Sequence, residues 1–225
     1  MLPISNASDV SKIQTIPEIE DPTPGYWETS EYMIGSVAVG IIFLESNGTI
    51  DPNTENWTSI EEQNCIDKIQ AALDWWASQN PDANVSVVTE IHYKVPTSYE
   101  PINRTLGPWN MVVSEAMTYL GYGGEDWKIQ RRDYINDLRH KLGTDWSFIM
   151  FIVDASKDSD GLYADKVGAT ACLGGPDLEV PVKTTKNLEW RVAHEMGHIS
   201  WATDEYNGKT EYSGYLNVPD VEDSG

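Results

Sequence analysis

The chain has 225 residues, of which 40% are hydrophobic and 10% aromatic, and it carries nine tryptophans. That length and apolar content suit one folded domain with its own core, and exclude a disordered, collagen-like or coiled-coil chain. Fifteen Lys and Arg against 36 Asp and Glu leave a formal net charge of −21. Such a surface repels phosphate backbones and anionic headgroups, which argues against nucleic acid and membrane surfaces as partners.

No apolar stretch reaches the length of a membrane span, so no membrane insertion is expected. The first residues, Met1-Leu2-Pro3-Ile4-Ser5-Asn6, show neither the basic nor the apolar region of a signal peptide. Asn-x-Ser/Thr sequons begin at Asn6, Asn47, Asn56, Asn84 and Asn103, an excess that points to a secreted or cell-surface protein. The two cysteines, Cys65 and Cys172, admit either one disulfide or two buried thiols. A bridge closing so long a loop would contribute on the order of 4–5 kcal/mol.

Residues 1–30 carry Pro17, Pro22 and Pro24 among acidic side chains and read as an extended segment without a core of its own. Residues 31–225 are expected to form the folded domain. The β-branched run Val37, Val39, Ile41, Ile42 predicts a buried strand over 32–45, closed by the turn Ser46-Asn47-Gly48. Thr58 with Glu61, or Ser59 with Glu62, forms a capping box for a helix whose Ile66, Ile69, Leu73 and Trp76 share a face, stopped at Asn80-Pro81. Partial alternation predicts a strand over 85–95. Helices are expected over 109–120, between Pro108 and Gly121, and over 129–142, before Gly143. Residues 146–153 are almost wholly apolar, as in a central strand covered on both faces. A short strand over 169–173 ends at Gly174-Gly175-Pro176, and a last helix begins near Leu188. The order predicts a mixed α/β (α+β) domain.

The last helix holds His194-Glu195-Met196-Gly197-His198, an H-E-x-x-H pattern. Histidines at i and i+4 share one helical face, so both imidazoles can reach one metal ion. Glu195 lies beside that face, placed to take a proton from a metal-activated water. The flanking Leu188, Trp190, Val192, Ala193, Met196, Ile199 and Trp201 predict a helix apolar nearly all round and therefore buried. Burying two histidines and a glutamate without partners would be costly, which favours a metal.

Downstream, the pattern extends through His198-Ile199-Ser200-Trp201-Ala202-Thr203-Asp204-Glu205-Tyr206 to H-E-x-x-H-x-x-W-x-x-D. This resembles the metzincin signature H-E-x-x-H-x-x-G-x-x-H/D, in the subgroup with aspartate as third ligand, as in snapalysin-like secreted peptidases. It is similar also to secreted bacterial and archaeal peptidases with H-E-x-G-H followed by Asp-Glu-Tyr. The resemblance implies a zincin domain with a mixed twisted sheet and an active-site helix. It implies one catalytic Zn²⁺ held by His194, His198 and Asp204, with Glu195 as general base, acting on protein or peptide substrates. It also implies that Ala169, Thr170, Ala171, Cys172 and Leu173 form an edge strand that pairs with an extended substrate.

Two departures from the signature matter. Trp201 stands where the family has a glycine in the left-handed conformation, which costs a bulky residue about 1–2 kcal/mol. Either Trp201 bears that strain, or the helix runs on and Glu205, eleven residues after His194, becomes the alternative third ligand. Metzincins also place a methionine turn after the third ligand, whereas the last methionine here is Met196. The lower subdomain is therefore expected to be incomplete and the chain to be part of a longer protein. An aspartate ligand lowers the net charge of the site and makes the metal a weaker Lewis acid than three histidines would.

Other features carry weaker readings. Asp154, Asp158, Asp160 and Asp165 around Gly161 resemble a Ca²⁺ loop in composition, though not in EF-hand register. Tyr206, Tyr212 and Tyr215 are candidates for oxyanion stabilisation, and a gluzincin-type third ligand would fall on Glu222. His92 and His140 read as structural. The leading expectation is a secreted zinc endopeptidase. The alternative is a cell-surface binding or adhesion module with a structural or vestigial zinc site.

Overall fold

The computed structural model describes residues 24–30, 32–105, 109–124 and 126–204. Strands β1 (Ser36–Ser46), β2 (Ser86–Thr97), β3 (Trp146–Asp154), β4 (Thr170–Ala171) and β5 (Asp177–Val182) form one sheet, accompanied by helices α1 (Ser59–Gln79), α2 (Trp109–Tyr119), α3 (Trp127–Leu142) and α4 (Leu188–Ile199). The strand order is β2-β1-β3-β5-β4. The first four in that order are parallel, and β4 runs antiparallel to β5 at the edge. The domain is mixed α/β, as the order of sequence patterns predicts.

Side-chain alternation divides the core. Val37, Val39, Ile41 and Phe43 of β1 and Trp146, Phe148, Met150 and Ile152 of β3 meet α1 and α4 on one face of the sheet. Ala38, Ile42, Leu44, Ile149, Phe151 and Val153 meet α2 and α3 on the other. Both strands are therefore buried on both faces, which is why they read as continuous apolar runs rather than alternating ones. Gly40 is the exception in β1. A Cβ there would lie 2.4 Å from the Tyr134 hydroxyl, so the close approach of α3 requires glycine.

Local signals set the element ends. Thr58 caps α1, its hydroxyl accepting the Glu61 N–H while Glu61 accepts the Thr58 N–H, so the Thr58 register of the capping box is the one used. Gly143 closes α3 in the left-handed region. Strand β1 starts at Ser36 rather than residue 32. Gly35, at φ 64°, turns the chain, and Asp145 accepts hydrogen bonds from Ser36 N and Oγ. Strand β2 continues to Thr97 by way of a bulge at Lys94, φ 50°.

Strand β5 has no counterpart among the expected elements. Leu178, Val180 and Val182 face the α1/α4 core, but the intervening residues are Asp177, Glu179 and Pro181. Both acids are buried, and Arg131 of α3 donates to Asp177. A strand with charged residues on a buried face has no apolar-run signature, and only the partner on α3 makes it tenable.

Residues 24–30 lie along α3. Arg139 donates to Pro24 O, Asn136 to Tyr26 O and Arg132 to Trp27 O. Thr29 O accepts from Ser147 N at 2.7 Å, tying the segment to the start of β3. None of the described helices is long and apolar enough to cross a membrane.

The cysteines do not pair, which corrects the disulfide considered for Cys65 and Cys172. Both are free. Cys65 packs in the α1/α4 core, while Cys172 faces Arg131 of α3 with Sγ 3.6 Å from Nη1. The two thiols thus belong to helix layers on opposite sides of the sheet. Burial pushes both up to about 12, the pKa of inert thiols.

Candidate metal centre

Helix α4 lies against α1 under the sheet. Leu188, Val192, Met196 and Ile199 enter the core, Trp76 Nε1 of α1 donates to Ala193 O at 2.9 Å, and Lys68 pairs with Glu189 at 3.2 Å. The expectation of a helix buried all round does not hold. Trp190 is 67% exposed and stacks on His194 with ring centroids 5.7 Å apart. The helix is amphipathic, and its open face carries the two histidines.

The chain leaves α4 through Trp201 itself, at φ 71°. Of the two exits open to the sequence, this is the strained one. Trp201 N–H donates to His198 O at 3.0 Å and Ala202 N–H to Gly197 O at 2.9 Å, so the chain reverses within one turn. Ala202 O then accepts from His198 Nδ1 at 2.7 Å. A carbonyl only accepts, so Nδ1 carries the proton and Nε2 is left with its lone pair toward the cleft.

The same reversal delivers Asp204. Its Oδ1 lies 3.2 Å from His194 Nε2 and 3.4 Å from His198 Nε2. Among the described residues, these three form the one group of His, Cys, Asp or Glu able to converge on a metal ion. Bonds of about 2.1 Å at the tetrahedral angle put neighbouring donor atoms about 3.4 Å apart, so the two spacings to Asp204 fit such an ion. Burial, together with His198, lowers the His194 pKa, favouring the neutral imidazole that ligates.

Glu195 is 6% exposed and lies outside the triad. Burial pushes its carboxyl up to about 7. His198 and Arg191 oppose the rise, and Asp204 adds to it. That places the group in the range of a neutral-pH proton acceptor. A cavity of about 340 Å³ in front of the triad is lined by Ala169, Thr170, Ala171 and Leu173 along one side and by His194, Glu195, His198, Thr203 and Asp204 along the other. Four of the five residues expected on the edge strand therefore flank the triad, while Cys172 does not line the cavity and faces Arg131 instead. The hydrogen-bonded strand is shorter than expected, Thr170–Ala171. A second cavity, of about 570 Å³, adjoins His194 and His198 between α1 and α4, with Trp75, Trp76 and Trp190 in its wall.

The acidic loop after β3 does not gather its carboxylates, which corrects the Ca²⁺ expectation. Asp154 accepts from Ser156 N, Asp158 from Asp160 N and Gly161 N, and Asp160 from Leu162 N and Lys166 Nζ. These side chains stabilise turns instead of converging on one point. His92 Nε2 lies 3.1 Å from both Glu90 Oε1 and the Tyr134 hydroxyl, a structural contact, and His140 is exposed in the last turn of α3. Glu205, Tyr206, Tyr212, Tyr215 and Glu222 lie outside the described residues.

Sequence reasoning misses the polar group behind β4. Arg131 and Cys172 both engage Asp177, and Glu179, buried and near Glu195, hydrogen-bonds Asp177. Burial and the Asp177 charge raise Glu179 well above the usual carboxylate range. That direction favours a protonated Glu179 that donates to Asp177, which Arg131 also engages. A folded state that holds this proton loses stability as pH rises above about 4.5, where an unfolded glutamate ionises. Glu179→Gln keeps the donor and removes that penalty. The variant is expected to melt above wild type at pH 8, with the gap closing as pH falls toward 4.5. A gap that widens in acid would show that Glu179 is ionised in the folded protein.

The chain matches no protein-family model and no curated protein.

Proposed function

We propose that the chain is a zinc-dependent endopeptidase of metzincin-like architecture, acting outside the cell. The observation that carries this reading is the convergence of His194, His198 and Asp204, with Asp204 Oδ1 3.2 and 3.4 Å from the two Nε2 atoms and the three donor atoms within 4.8 Å of one another, beside a buried glutamate that is not one of the three. The donor set, two neutral imidazoles and one carboxylate, suits Zn²⁺. A zinc ion held there would acidify water toward neutral pH and polarise a carbonyl.

The chain's own residues supply the rest. Ala202 O fixes the His198 tautomer. Glu195 takes the proton of the attacking water and returns it to the leaving amine, breaking the C–N bond of the peptide. Among the described residues β4 is an edge strand of the sheet and lies beside the cleft, so an extended peptide can add to the sheet there with its scissile bond over the triad. Backbone pairing of this kind asks little of the substrate's sequence. An extracellular setting accords with the exposure of Asn47, Asn56, Asn84 and Asn103, the four sequon asparagines within the described residues.

The test is hydrolysis of fluorescent casein by the zinc-loaded protein. Hydrolysis is expected to stop with a chelator and to return with zinc. Stoichiometric zinc binding without any cleavage would favour the binding-module alternative instead.

A further inference from the structure

Trp201 is a bulky residue at φ 71°, in the left-handed region. Such conformations persist when the surroundings over-determine them. The indole explains why glycine is not used here. It sits against Gly174, at φ 76°, so closely that a Cβ on Gly174 would lie 2.4 Å from Trp201 Cε2. Gly174 belongs to the turn between β4 and β5, in which Cys172 N–H donates to Asp177 O and Gly175 N–H to Cys172 O. On the far side of that turn, Ser30 lies so close that a Cβ on Gly175 would meet its Oγ at 1.9 Å.

The turn is also tied to the metal helix through the backbone. His198 O accepts both Gly174 N–H, at 2.9 Å, and Trp201 N–H, at 3.0 Å. At the other end of the hairpin, Arg191 of α4 donates to Gly168 O. The short strand β4 is thus strapped to α4 at both ends, by Arg191 before it and by His198 and Trp201 after it. A strand with two residues in the ladder has little pairing of its own to hold it in place.

We propose that Trp201 is a positioning residue for substrate: its indole, wedged under Gly174, holds the β4 edge at the height of the His194–His198–Asp204 triad. The inference rests on the peptidase reading for its kinetic part only. Glycine takes φ 71° freely, so Trp201→Gly keeps the chain reversal that delivers Ala202 and Asp204 and removes only the wedge.

Three measurements test this. In amide hydrogen exchange on the metal-free protein, Trp201→Gly is expected to speed exchange of Cys172, Gly174 and Gly175 at least tenfold. Ile41 and Phe151, in the sheet centre, should be unchanged. In hydrolysis of fluorescent casein, KM is expected to rise about tenfold with kcat within threefold of wild type, as for loss of binding shared by ground and transition states. Zinc affinity, read by competition with a chromophoric chelator, is expected to stay within threefold. Unchanged exchange in the hairpin overturns the proposal, as does a fall in kcat at constant KM. If wild type cleaves no casein, the peptidase reading fails while the exchange experiment still decides the role of the wedge. Should Trp201→Gly not fold, Trp201→Asn serves, since asparagine also tolerates this conformation.

Discussion

Exchanging Glu195 for glutamine is expected to lower kcat on casein about a thousandfold while leaving zinc affinity within threefold of wild type. The two halves follow from one geometry. Glu195 is not among the three converging donors, so removing its charge takes nothing from the coordination sphere. Glutamine has the same size and fits the same buried position, 6% exposed, so the helix should not be disturbed. It cannot accept the proton of the attacking water, and general-base catalysis of this kind contributes roughly 10²–10⁴-fold. An aspartate among the ligands would make the dependence steeper, because a less electropositive metal leaves more of the deprotonation to the protein. Retention of more than a tenth of the activity would remove Glu195 from the mechanism.

Replacing Asp204 with alanine has the largest expected effect on metal binding. Zinc affinity should fall by more than about a hundredfold, since loss of outer-shell support alone typically costs 10–100-fold. The contact that motivates this is Oδ1 at 3.2 and 3.4 Å from the two Nε2 atoms. Alanine leaves two imidazoles, too few to hold a structural or catalytic zinc tightly. Titration against a chelator of known affinity measures it directly. Unchanged affinity in Asp204→Ala would move the third ligand elsewhere, with Glu205 the next residue to vary. The same titration on Glu195→Gln serves as the control for folding.

Some of the site was open to sequence reasoning because helical periodicity is a local rule. His194 and His198 are four apart, so a helix alone aligns them, and Glu195 follows from its place beside them. The capping box at Thr58 and Glu61 and the apolar runs of β1 and β3 are local signals too, and they mark their elements with end errors of a few residues. Where sequence reasoning fell short, the deciding partner lies far along the chain. Asp177 and Glu179 look like loop residues until Arg131 is placed beside them from α3. The Cys65–Cys172 bridge was open on paper and is closed by the sheet that lies between their layers. The acids of the loop after β3 look alike in sequence, yet Asp154, Asp158 and Asp160 are spent on nearby amides or on Lys166.

Length, charge and motif by themselves determined that this is a folded acidic domain with a two-histidine helix and an acid beside it. Those properties depend on composition and on spacing within one helix turn. Tertiary structure alone decided which way the chain leaves that helix. Either exit was compatible with the residues. Trp201 takes the left-handed one because Gly174, contributed by the β4–β5 turn, leaves room for the indole and for nothing larger than hydrogen on its own Cα. From that exit, which a glycine could take as well, follow the carbonyl that orients His198 and the carboxylate that completes the triad.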